Sequence, residues 1–139
     1  MIELIPENLE FQINTTGVEI TYSEQEGLSI QLTVIKDNTP ATATILFPIV
    51  AEFECVGVNF YESKHEDIKI IPSSTAQFDS AFYRNADKES YAAKLKIYDP
   101  KQRPGLEEYY IPGNDLFIRI IASPYHVQID GSQRHPASS

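Results

Sequence analysis

A mainly β fold, built as a single antiparallel β-sandwich or partly open barrel with at most one short α-helix, is predicted by three features of this 139-residue sequence. Apolar and polar residues alternate through several short runs, the period at which side chains leave a strand on opposite faces. Gly, Pro, Asn and Asp separate those runs at short intervals, as the turns of an antiparallel sheet require. The strands are not interleaved with long helical patterns, which argues against a nucleotide-binding α/β arrangement.

The elements follow in order. Leu9, Phe11 and Ile13 alternate with Glu10 and Gln12, and Thr15-Thr16-Gly17 reads as a tight turn into a second strand, Val18-Glu19-Ile20-Thr21-Tyr22. Beyond Glu24-Gln25-Glu26-Gly27, the residues Leu28, Ile30, Leu32 and Val34 give the cleanest alternation in the chain. Lys36-Asp37-Asn38-Thr39-Pro40 is a loop of residues that favour turn geometry. Strands are expected at 42–47 and 49–61, broken or bent at Pro48 because proline donates nothing to a ladder. Lys64-His65-Glu66-Asp67 is a polar loop, and Ile68-Lys69-Ile70-Ile71 a short strand stopped by Pro72.

Residues 87–98 carry two patterns. Tyr91, Ala93, Leu95 and Ile97 alternate as in a strand. Tyr91, Leu95 and Tyr98 also share a helical face, Asp87 suits an N-cap, and Ala92-Ala93-Lys94-Leu95-Lys96 are good helix formers, which favours a short helix. Glu107–Ile111 and Leu116–Ala122 form a hairpin around Pro112-Gly113-Asn114-Asp115. Tyr125–Ile129 completes the sheet as a terminal edge strand, so the domain spans 1–129 and 130–139 is a polar, frayed tail.

Composition excludes several functions. Twenty Asp and Glu against eleven Lys and Arg give a net charge of −9, which offers no attraction to nucleic-acid phosphates. No apolar run approaches the ~18 residues of a membrane span. The opening Met1-Ile2-Glu3-Leu4-Ile5-Pro6-Glu7 lacks the basic and apolar regions of a secretory signal, so a cytoplasmic location is expected. The single Cys55 rules out an intramolecular disulfide and a multi-thiolate zinc site, and its strand setting predicts a small buried hydrophobe.

Candidate chemistry is sparse, and neither cofactor nor metal is expected. The six glycines stand apart, so no loop cradles phosphate, and no G-x-S-x-G elbow presents a serine. His65-Glu66-Asp67 is the densest set of metal-ligand types, but on an extended chain only His65 and Asp67 face one side, and no further His pair completes a site. Glu52 and Glu54 share one face of a strand with Cα atoms roughly 6.5–7 Å apart by strand rise. That spacing overlaps the separation of glycosidase carboxylates, so a hydrolase using paired carboxylates is one alternative; the polar outer face of a sheet explains the same spacing. A barrel or sandwich enclosing a small apolar ligand is another alternative.

Eight tyrosines lie in or beside the predicted strands, and tyrosine suits half-exposed interfaces through its apolar body and polar tip. With the acidic balance, this points to a non-catalytic module that binds a basic protein partner through an acidic, Tyr-bearing face. Glu52, Glu54, Tyr109 and Tyr110 are its candidate binding residues. The uncharged strand Tyr125–Ile129 also makes a homodimer through a sheet edge an expectation.

Phe60-Tyr61, Phe82-Tyr83, Ser90-Tyr91, Tyr109-Tyr110-Ile111 and the run Asp115–Ala122 form a further pattern. Through it the stretch from about Val58 to Val127 resembles a group of small, β-rich bacterial proteins, some of them similar to immunity proteins of toxin loci. The resemblance implies an interaction module. Arg119 stands where that group carries an acidic residue, and no site residue is transferred.

Overall fold

Alternation becomes burial most clearly at Leu28, Ile30, Leu32 and Val34, each no more than 1% exposed. In the computed structural model, which describes residues 2–57, 68–71, 81–112 and 116–131, these four residues face inward from one strand. The strands are β1 (Ile2–Pro6), β2 (Gln12–Ser23), β3 (Gly27–Lys36), β4 (Thr39–Phe47), β5 (Val50–Val56), β6 (Ile68–Ile70), β7 (Tyr83–Asn85), β8 (Glu107–Ile111), β9 (Phe117–Ala122) and β10 (His126–Gly131). A 3-10 turn at Lys88–Tyr91 runs into α1 (Ala92–Tyr98).

The strands form a four-stranded sheet, β10-β4-β3-β2, and a six-stranded sheet, β5-β9-β8-β7-β1-β6. Described neighbours are antiparallel except β1 and β6, which run parallel. Neither sheet closes into a barrel; the arrangement is a sandwich. Its core joins Phe11, Leu28, Ile30, Leu32, Ile45 and Phe47 of the smaller sheet's side to Phe82, Tyr109, Ile111, Ile118 and Ile120 of the larger. Burying each such side chain contributes about 1.5–3 kcal/mol. Four rings meet: Phe82 stacks on Tyr109 at 5.6 Å, Tyr125 stands edge-on to both, and Phe47 packs against all three.

The chain changes sheets at two adjacent corners. Pro48 ends β4, and Ile49 leads into β5 of the other sheet; Ser123 turns β9 back toward β10. The corners are tied together, since the Ile49 amide donates to Ser123 Oγ and the Ser123 amide to the Ile49 carbonyl. Close by, Gly27 has φ +87°, and a Cβ there would lie 2.2 Å from the Phe47 carbonyl oxygen, so only glycine fits.

Four expectations change. Thr15-Thr16-Gly17 is not a hairpin turn: β2 runs through it, with a register shift between Asn14 and Glu19, and Gly17 takes φ +74°. Both halves of β2 pair with the same strand β3, so the glycine makes a bulge rather than a reversal. The expected loop 36–40 shrinks to a turn at Asp37 and Asn38, whose positive φ angles suit a two-residue hairpin between Lys36 and Thr39. β1 and β7 are strands the sequence pattern does not mark, held by pairings remote along the chain such as Leu4 with Asn85. β10 continues to Gly131, two residues past the expected strand Tyr125–Ile129.

Other expectations hold. The final hairpin forms, with Ile111 opposite Ile118. The helical reading of 87–98 is correct, and Asp87 caps it by accepting from the Glu89 amide. Tyr125–Ile129 supplies an edge strand, since β10 pairs with β4 alone among the described residues. The loop Lys64-His65-Glu66-Asp67, the end of the expected strand 49–61 and the 130–139 segment beyond Gly131 lie outside the described residues.

Candidate functional site

Charged side chains gather on the face of the larger sheet that points away from the core. In the β8–β9 hairpin, Ile111 and Ile118 face inward together, so Glu108, Tyr110 and Arg119 face outward. β5 continues this face with Glu52 opposite Ile121 and Glu54 opposite Arg119. A register shift between Val50 and Glu52 precedes this run.

Arg119 is the centre of the cluster. Its Nε donates to Glu108 Oε2 at 2.8 Å, and its Nη1 lies 3.5 Å from Glu52 and 3.6 Å from Glu54. Burial acts against the guanidinium charge, but Glu108 and the Tyr110 hydroxyl more than offset it and hold the pKa above its ordinary value. Beneath it, Glu108 is buried and accepts from Asn85 Nδ2 through its other oxygen. Asn85 is itself fully buried and satisfied: it also donates to Ser90 Oγ and accepts from the Glu3 and Asp87 amides. A buried carboxylate is tolerable only with such partners.

Helix α1 covers one side. Lys94 Nζ donates to Glu52 Oε1 at 2.8 Å and the Tyr98 hydroxyl to Glu52 Oε2 at 2.7 Å. The hydrogen bond from Lys94, then that from Tyr98, hold the Glu52 pKa below its ordinary value. The bond to Glu52 in turn raises that of Tyr98.

Glu52 and Glu54 thus share a face as expected, but Tyr109 and Tyr110 do not join them on the surface. Both rings are buried, which corrects their assignment as a presented pair. Consecutive strand residues point to opposite faces: Tyr109 enters the aromatic cluster between the sheets, and Tyr110 packs with Leu4 and Tyr83 on the other side. Burial raises the pKa of each above the ordinary tyrosine value. The exposed ring beside the carboxylates is instead Tyr98, 42% exposed; Phe53, 43% exposed, stands on the opposite face of β5. Cys55 is also exposed, which corrects the expectation of a buried hydrophobe. It pairs with Ile118 and therefore faces the core side, but β5 is the outermost strand of a six-stranded sheet set against a four-stranded one.

Glu108, Arg119 and Tyr98 were not expected at the site. The first two are charged residues in the strands of a legible hairpin, and its register makes them diagonal neighbours on one face. That signal was available; the contact of Tyr98 with Glu52, 46 residues away, was not.

The paired-carboxylate alternative meets a chemical obstacle. A general acid needs a raised pKa, whereas Glu52 has a lowered one and shares a guanidinium with Glu54. For a small apolar ligand, a groove of about 650 Å³ lies beside α1, floored by Ala92, Leu95 and Leu106 but rimmed by Lys88, Glu89 and Lys96. It opens outside the apolar core between the sheets. The His65 cluster lies outside the described residues, and no group of three or more metal-ligating side chains occurs among those described. No described helix is long and apolar enough to cross a membrane. No family model, curated relative or solved structure matches the chain, so a functional reading rests on its own residues.

Proposed function

We propose that this protein is a non-catalytic binding module that docks a basic protein partner on the face bearing Glu52, Glu54 and Tyr98. The observation that carries the reading is a carboxylate side chain, Glu54, 56% exposed on an outer strand, with the exposed ring of Tyr98 from α1 beside its face-mate Glu52. Lys and Arg side chains are recognised by this combination, carboxylates taking the charge and ring faces the cation and its alkyl stem. The net charge of −9 supplies long-range steering toward a basic surface. The resemblance of the second half to small, β-rich bacterial proteins, some of them similar to immunity proteins, makes a basic, toxin-like protein in a bacterial cytoplasm the first partner to test.

Affinity capture from the source lysate, repeated with Glu54→Lys and Tyr98→Ala, checks the reading. A basic protein retained by the parent and lost from both folded variants, with affinity falling as salt rises, is the expected result. A partner held equally by parent and variants, or one that is acidic, would overturn it.

A further inference from the structure

We infer that the partner is bound by strand addition: an extended segment with Lys or Arg at alternate positions and apolar residues between them pairs along the free edge of β5. This rests on the reading just proposed and specifies its mode. Among the described residues β5 pairs only with β9, so the backbone groups of its other edge are open to a further strand. From Glu52 to Val56 the pairing with β9 is regular, which leaves a template without a bulge. On one side of it stand Glu52 and Glu54, and on the other Phe53 and Cys55, both exposed. An added strand places its own side chains beside these, alternately across both faces. The complementary sequence is therefore cationic opposite the carboxylates and apolar opposite Phe53.

The other long edges offer less. On β10 the apolar residues Val127 and Ile129 are already packed against the core. The pairing of β2 is interrupted between Asn14 and Glu19. β5 is also built against pairing with a second copy of itself. The longest self-pairings of β5 put a two-fold axis normal to the sheet on Glu52, Phe53 or Glu54. These registers set Glu52 against Glu52, Glu52 against Glu54, or Glu54 against Glu54, and directly opposed like charges are destabilising. A basic strand relieves what a second copy would aggravate.

The test uses a blocked peptide in which lysine alternates with valine, a control of the same composition with the lysines in one block, and a third N-methylated on the face that would pair. The binding of each to the full chain is followed by anisotropy, and amide hydrogen exchange locates the contact. The alternating peptide should bind at least about tenfold more tightly than either control, weaken about tenfold with Glu54→Lys, and protect amides within 50–56. Equal binding of all three peptides, still weakened by Glu54→Lys, would overturn strand addition while leaving the acidic docking face intact. Protection at β2 or β10 instead, or dimerisation through β5, would also overturn it. If no peptide binds but a basic protein is still captured in a Glu54-dependent manner, strand addition fails alone. If neither peptide nor protein depends on Glu54, both readings fail.

Discussion

Arg119 touches three carboxylates, and its loss isolates the most buried of them. Replacing it with Met leaves Glu108 with only the neutral Asn85 and Tyr110 as partners and should cost about 3–5 kcal/mol, read as a fall in urea midpoint. Adding Glu108→Gln should recover much of that loss, because the unpaired charge rather than the lost contact dominates the cost. Glu52 gives the second residue-scale prediction. Its pKa is held below the ordinary 4.5 by hydrogen bonds from Lys94 and Tyr98, so the folded state binds its proton less readily than the unfolded chain. The resulting stability is present above the ordinary value and drains away as pH falls through the lowered one. Denaturant midpoints measured between neutral and acidic pH should therefore fall less steeply for Glu52→Gln than for the parent.

At the scale of elements, β3 is the strand that both its neighbours need. Leu32 lies inward between β2 and β4 and is 1% exposed. Leu32→Asp buries a charge with no cation beside it in the apolar core and should unfold the domain, at a cost above about 4 kcal/mol. Unchanged denaturant stability would mean that the residue faces water. β10 carries the homodimer expectation: its outer edge is open among the described residues, and self-association there would work against a net charge of −9. Screening within about 8 Å at physiological ionic strength should make such a dimer tighten with salt. Light scattering at two salt concentrations reads this out, with Val127→Pro as the variant that removes a ladder donor. A monomer in both conditions, or a dimer indifferent to the proline, would remove β10 from consideration.

For the whole molecule, buried tyrosines link folding to alkaline pH. Burial raises the pKa of Tyr109, Tyr110 and Tyr125 above 10, their value in an unfolded chain. Their contribution is intact below that value and is lost as pH rises toward the folded ones, by about 1.4 kcal/mol per unit for each ring. Tyrosinate absorbance from these rings should appear together with the loss of β-sheet circular dichroism, not before it. The strands and turns that organise this core were largely legible along the chain. The run Leu28–Val34, the break at Pro48, the cap at Asp87 and the pairing of β8 with β9 all declare themselves through period-two alternation, missing donors and turn chemistry, which are local properties. The same alternation put Glu52 and Glu54 on one face. Local pattern could not say which face of β5 lies beyond the cover of the smaller sheet, and so Cys55 and Phe53 are exposed while Tyr109 and Tyr110 are buried. Nor could it supply β1, whose neighbours lie more than 60 residues away, or the meeting of Glu52 with Tyr98. Those depend on strand order and on the unequal widths of the two sheets, and a residue's neighbours along the chain carry no information about which strand will lie beside it.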